Sequence, residues 1–175
     1  MRALVDAVEA GAFGDVTGVL HIGIGGSVLR PALLVDALGR RASRLNVRFL
    51  SNIDGEAFDD AVRTLDPATT LIVTASKTFT TAETLANMNA ALDWLEAAGV
   101  DDPYGRVIAV TARPDAALDA GIDETRILQF SEGVGGRYSL WSAVGLAAAL
   151  ALGWSAFEEL LEGAAEMDRH FRYAE

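Results

Sequence analysis

Short runs that are apolar on both faces, separated by longer helical patterns, constrain this chain more than any other feature. Leu71-Ile72-Val73 sits in a run over residues 70–75 with almost no polar alternate, so both sides of that strand must be buried. Comparable runs lie at residues 18–22, 46–51, 106–111 and 126–130. The segments between them read as helices. Ser27 is placed to cap a helix reaching Leu38, with Leu33, Leu34, Ala37 and Leu38 on one face and Gly39 as its stop. Residues 56–65 form a short helix closed by Asp66-Pro67, and residues 80–98 a long one with Leu85, Met88, Leu92 and Leu95 at three- and four-residue steps before Gly99. Pro114 opens a short helix ending at Gly121, and residues 139–152 and 156–171 are helical. Five strands alternating with helices predict an α/β fold, with a five-stranded parallel sheet covered on both faces.

A length of 175 residues fits one domain, for which the usual range is roughly 100–200. The chain starts in a half-formed helix and stops on another, as a piece of a longer protein or a frayed terminus does. The net charge of −11 disfavours nucleic acid and anionic lipid as partners, and Arg40-Arg41 with Arg44 reads as a solvated helix end. With no cysteine there is no disulfide, thiol nucleophile or thiolate metal site. His21 and His170 lack metal-ligand spacing, and core or surface roles suit them better. The longest apolar stretch, residues 140–152, falls short of the roughly 20 residues a membrane span needs and reads as a buried helix. Residues 1–30 carry no signal-peptide pattern, so a cytoplasmic location is expected.

Three loops that follow strands carry the candidate chemistry. The first, Gly23-Ile24-Gly25-Gly26-Ser27, brings backbone amides to a helix N-terminus, where an anion is favoured. It departs from the dinucleotide fingerprint, with Val28 where the last glycine belongs and no acidic residue at the expected distance. A phosphate-sized anion site, a structural turn and a dinucleotide site remain the readings of this loop. The second, Ser76-Lys77-Thr78-Phe79-Thr80-Thr81, places four hydroxyls, an ammonium and a helix start in six residues. Thr80 or Thr81 as N-cap, with Glu83 or Thr84 at the third helical position, accounts for one hydroxyl, whereas a phosphate accepts from many. The third, Gly133-Val134-Gly135-Gly136-Arg137-Tyr138-Ser139, carries a forked cation that either steadies an oxyanion or pairs with a carboxylate. If the strand order is 2-1-3-4-5, the first two loops face each other at the point where the order reverses.

Lys77 is the single lysine, every other basic side chain being arginine, and it falls in the loop densest in phosphate donors.

These loops, taken in order, resemble phosphoglucose isomerase, the glucose-6-phosphate isomerase family. The matching runs are Ile22-Gly23-Ile24-Gly25-Gly26-Ser27, Phe49-Leu50-Ser51-Asn52-Ile53-Asp54-Gly55, the six residues from Ser76 to Thr81 with Glu83-Thr84, and Val134-Gly135-Gly136-Arg137-Tyr138-Ser139-Leu140-Trp141-Ser142. Gly163-Ala164, Met167-Asp168 and His170-Phe171 match as well. The resemblance covers nearly the whole chain and implies a sugar isomerase (SIS) domain, a flavodoxin-like αβα sandwich. By it, Ser27, Ser76, Thr78 and Thr81 hold the substrate phosphate, with Gly26 and Lys77 alongside. Gly136 and Arg137 lie at the sugar, and Arg137 stabilises the enediolate. The family interconverts glucose 6-phosphate and fructose 6-phosphate without a metal or other cofactor.

Val28 and Arg30 stand where the family usually has aspartate and glycine, and Ala82 where it has glutamine, all beside the implied phosphate site. The larger departure is that the family has two SIS domains. The second carries the proton-transfer glutamate, in a Glu-Ser-Asn-Gly-Lys motif, together with the ring-opening histidine and a further lysine. None of these motifs occurs here, so residues 1–175 resemble the first domain alone and are expected to be inactive by themselves. The implied partners are glucose 6-phosphate or fructose 6-phosphate, the second domain of the same enzyme, and a second copy in a homodimer. A stand-alone sugar-phosphate-sensing module without catalysis is the alternative. If the chain is a cut domain, the faces expected to meet its partner are the 140–152 helix and the Trp154-Phe157-Leu160-Leu161 stripe.

Overall fold

Every residue of β1 (Gly18–Gly23), β3 (Thr70–Ala75) and β4 (Val107–Thr111) is buried, the few polar ones such as His21, Thr74 and Thr111 included, as strands with so few polar alternates require. With β2 (Asn46–Leu50) and β5 (Ile127–Gln129) they form one parallel sheet in the order β2-β1-β3-β4-β5. The computed structural model describes residues 1–39 and 43–173, so Arg40 and Arg41 lie outside the described residues. Arg44 is exposed and faces Glu9 at 3.6 Å.

Alternate side chains of each strand feed two cores. Val19, Leu71, Val73, Ile108 and Val110 pack against α1 (Arg2–Glu9), α2 (Gly26–Gly39), α6 (Leu146–Leu152) and α7 (Trp154–Tyr173). Leu20, Ile22, Ile72, Val107 and Ala109 pack against α3 (Gly55–Val62), α4 (Ala82–Ala97) and α5 (Pro114–Asp119). The result is an αβα sandwich. Each fully buried leucine, isoleucine or valine in it contributes about 1.5–3 kcal/mol.

The strands fall close to the expected spans, and several helix details do not. Ser27 does not cap α2 but is its second residue. Its buried face is Val28, Pro31 and Leu34, while Leu33, Ala37 and Leu38 are exposed. Nearly every residue of this helix apart from Arg30 and Asp36 is apolar, so periodicity carries little information about its orientation. Asp54 caps α3 by accepting from the Ala57 amide at 3.0 Å, which starts that helix earlier than expected.

The 139–152 helix is interrupted. Gly136–Trp141 and Ala143–Gly145 are 3-10 turns, and only from Leu146 does an α-helix run. Extended Ser142 caps the second turn through the Val144 amide. At Gly145 an added Cβ would lie 2.6 Å from the Phe157 ring and 2.7 Å from the Leu140 carbonyl oxygen, so the backbone passes tightly beneath α7.

The 140–152 segment expected as a partner face is largely taken up by this chain's own core, whereas the Trp154-Phe157-Leu160-Leu161 stripe is buried only at Phe157 and stays partly exposed elsewhere. Leu146 to Ala151 and Phe157 are buried, and Trp154, Leu160 and Leu161 pack on the same cluster. The large apolar side chains left exposed include Leu29, Leu33 and Leu38 on α2, and Tyr138, Trp141, Met167 and Phe171. Among the described residues no helix is long and apolar enough to cross a membrane.

Candidate functional site

Gly23 of β1 pairs with Ala75 of β3, so the two strands end side by side where the sheet order reverses. The loops leaving them are therefore neighbours, and each runs directly into a helix N-terminus.

The first loop turns on Gly25, whose φ of +55° is a left-handed conformation that glycine adopts without a steric penalty. The Ser27 amide then donates to Ile24 O at 3.1 Å and the Leu29 amide to Gly25 O at 2.9 Å, closing the first turn of α2. A Cβ added at Gly26 would lie 2.6 Å from the carbonyl oxygen of Gly136 in the third loop. The absence of a side chain at Gly26 is thus what lets the first and third loops touch backbone to backbone. Ser139, 113 positions away in sequence, clasps the same contact: its hydroxyl is 2.8 Å from Gly136 O and 3.3 Å from Gly26 O.

The second loop is stapled by its own hydroxyls. Ser76 Oγ, almost fully buried, accepts from the Phe79 amide at 3.1 Å and meets Thr81 Oγ1 at 3.2 Å. Thr80 Oγ1 donates to Thr78 Oγ1 at 2.9 Å. The Lys77 carbonyl accepts from the Ala112 amide and from Thr111 Oγ1, tying the loop to the end of β4. Phe79 has φ of +53°, a strained value for an aromatic residue, and its ring is held in the core beneath the loop.

Thr81 occupies the N-cap position of α4 but makes no side-chain cap bond, because its hydroxyl turns to Ser76. The expected capping box is therefore not formed. A 16-residue helix presents its N-terminus without a side-chain cap at the mouth of the crevice.

Lys77 and Arg137 are carried by the second and third loops. A Cβ added at Gly135 would come within 3.8 Å of the Lys77 ammonium, which brings the second and third loops together. Arg137 is exposed, its guanidinium 5.1 Å from the Tyr138 ring centroid. No carboxylate among the described residues pairs with either Lys77 or Arg137. Of the residues expected at the site, Gly26 and Ser27 lie on the first loop, Ser76, Lys77, Thr78 and Thr81 on the second, and Gly136 and Arg137 on the third; the contacts that join the loops are Gly26 with Gly136 and Lys77 with Gly135. Ser76, Thr78 and Thr81 are all engaged in hydrogen bonds within the second loop, and of the three Ser76 is the most buried.

His21 lies fully buried in β1, beside Phe49 at 5.5 Å between ring centroids. Its Nε2 is 2.7 Å from the carbonyl oxygen of Ser27. Burial pushes its pKa down from 6.5 to about 4, so the ring is neutral near pH 7. A carbonyl can only accept, so Nε2 carries the proton. His170 is exposed on α7.

Of the departures noted in sequence, Val28 is buried under α2, Ala82 is the exposed first residue of α4, and Arg30 is partly buried. Ser139 and His21 were not among the expected site residues. Their contacts with the site are with backbone carbonyls, for which no side-chain pattern gives a signal. A cleft of about 970 Å³ lies at the opposite, amino ends of the strands and is lined by Leu4, Phe13, Arg106, Arg126 and Leu128 among others.

The sequence profile of the phosphoglucose isomerase family matches residues 1–175. The glucose-6-phosphate isomerase of Sphingopyxis alaskensis is 65% identical over all of this chain, which spans 35% of that protein. That of Zymomonas mobilis is 57% identical over 98% of this chain, or 34% of its own length. Among solved structures, a glucose-6-phosphate isomerase from Chlamydia trachomatis superposes with a TM-score of 0.83 at 30% identity, covering 97% of this chain and 33% of that one. The chain therefore spans about a third of the length of these relatives.

Proposed function

The chain belongs to the phosphoglucose isomerase family, and we propose that it forms the first sugar-phosphate-binding domain of a glucose-6-phosphate isomerase. The observation that carries this reading is the meeting of three loops, Gly26 against Gly136 and Lys77 beside Gly135, around an α4 N-terminus that no side chain caps. A phosphate seated there takes the positive end of α4, the ammonium of Lys77, and the hydroxyls of Ser27, Thr78 and Thr81. Ser76 contributes chiefly by holding the loop in shape through Phe79 and Thr81.

The sugar then extends toward the third loop, where Gly136 and Arg137 lie. In the isomerisation a base removes the proton at C2 of the open-chain aldose and a proton is delivered to C1. Negative charge builds on the oxygens between the two steps. Arg137 is a permanent cation with no competing carboxylate among the described residues, suited to stabilising that charge. The base and the ring-opening acid belong to the part of the protein beyond these residues.

Calorimetry and coupled turnover assays on the chain and on the full-length protein test the reading together. The chain is expected to bind fructose 6-phosphate and not NAD, and to show no turnover. The full-length protein is expected to turn over, and its Arg137→Ala variant to lose about 10²–10³ in kcat. Robust turnover by the chain alone, or binding of NAD in place of the sugar phosphate, refutes it.

A further inference from the structure

Pro31 lies inside α2 and is buried. In an α-helix the carbonyl of Ser27 would accept from the amide of residue 31, and proline has no amide hydrogen to give. The proline ring also crowds the carbonyl four residues before it, tilting that oxygen out of the helical ladder. Ser27 O is therefore an acceptor that the helix itself leaves without its i+4 partner, in the first turn of the helix that opens at the crevice. A partly buried carbonyl in that position is satisfied by a donor from elsewhere. The donor is on the neighbouring strand: His21 Nε2 at 2.7 Å.

We infer that His21 is a positioning residue that replaces the amide missing at Pro31, and so holds the Gly25-Gly26-Ser27 turn in its anion-binding shape. Three observations support this. The ring is fully buried, so water does not compete for its Nε2 proton. Nδ1 is buried without a hydrogen-bond partner among the described residues, so among them the ring makes this one bond. The ring is also held in place, since His21 is flanked in register by Phe49 on β2 and Val73 on β3 and lies against the Phe49 ring. A buried imidazole with an unsatisfied nitrogen costs stability relative to an apolar side chain. Its retained bond goes to Ser27, the second residue of the helix that follows the first loop. The inference rests on the anion-site reading only for its functional consequence; the exchange of a histidine donor for a proline's missing amide stands apart from it.

The test is a double-mutant cycle in the full-length protein, combined with imidazole ¹⁵N NMR. His21→Leu removes the donor, and Pro31→Ala restores an amide that can serve Ser27 O. In the Pro31 background His21→Leu is expected to weaken fructose 6-phosphate binding roughly tenfold. In the Pro31→Ala background the loss should shrink to about twofold or less. His21→Gln, which keeps an N–H at similar reach, should stay within about threefold of the parent. At pH 7 the spectrum should show His21 protonated on Nε2 and not on Nδ1. Equal losses in the two backgrounds overturn the inference, as does a Gln variant no better than Leu, or an Nδ1–H tautomer. If His21→Leu alone does not fold, recovery of folding in the Pro31→Ala background supports the inference and failure in both overturns it. If the parent protein binds no fructose 6-phosphate, the anion-site reading fails. The tautomer and the coupling of the two substitutions in thermal stability then still decide the role of His21.

Discussion

Two loops leave the sheet side by side and open two helices onto one crevice, and they are built in opposite ways. The loop after β3 carries its own instructions. Ser76, Thr78, Thr80 and Thr81 hydrogen-bond among themselves and to the backbone within six residues, and Phe79 accepts a strained conformation to anchor the turn. The loop after β1 has almost no side chains and takes its shape from elsewhere. Gly136 packs against Gly26, Ser139 clasps both carbonyls, and His21 supplies the hydrogen bond that Pro31 cannot. A locally encoded loop tolerates change in its surroundings and suffers from change within it. A loop shaped from outside does the reverse.

That contrast can be broken most sharply at Gly26. Gly26→Ala places a methyl group 2.6 Å from the Gly136 carbonyl oxygen, and backbone must give way. Displacing the third loop by even about 1 Å is expected to lower kcat/KM by about 10²-fold. Thermal unfolding should shift much less, because the two hydrophobic cores are untouched. A variant with near-parental kinetics would show that the two loops need not touch.

Of comparable size is the pH dependence written into His21. Its folded pKa, about 4, lies below the unfolded 6.5, so the native state favours the neutral ring. The stability linked to this is fully present above pH 6.5 and is lost as the pH falls from there toward 4, on the order of 3 kcal/mol in all. Denaturant titrations of the parent and His21→Gln over that range should diverge by a large part of this amount. Parallel curves would mean that the buried ring takes up its proton without cost.

Within the second loop, Lys77→Ala is expected to raise KM about tenfold, with kcat nearly unchanged, because the ammonium holds the phosphate in ground and transition states alike. Lys77→Arg should recover only part of the loss, since a planar fork does not fit where a compact ammonium sits beside Gly135. Smallest is Gly136→Ala. Its Cβ meets nothing within 4 Å, but φ of +56° strains any other residue, so about 1 kcal/mol of stability should be lost. A drop in kcat beyond that would mark the left-handed turn as part of the oxyanion environment.

The same contrast explains what sequence reveals here and what it does not. Leu71-Ile72-Val73 and its counterparts announce a buried parallel sheet because so few polar alternates interrupt them. Ser76 to Thr81 stands out because its chemistry is dense and contiguous, and that density is also what resembles a sugar isomerase. The buried face of α2 is not legible, since apolar residues line it on nearly all sides and only packing selects Val28, Pro31 and Leu34. The broken helix after Gly136 is hidden for a related reason: an apolar run reads as continuous until Ser142 caps the turn within it and Gly145 is pressed against Phe157. Ser139 and His21 act on distant carbonyls, and the sequence bears no mark of such contacts beyond the proline that makes one of them necessary.

A co-crystal structure of the full-length protein with fructose 6-phosphate tests the central claim most directly. The phosphate is predicted at the N-terminus of α4, within hydrogen-bond reach of the Ser27 and Thr81 hydroxyls and the Lys77 ammonium, with Arg137 toward C1 and C2 of the sugar. A phosphate bound away from these three loops, for instance in the cleft beside Arg106 and Arg126, would contradict it.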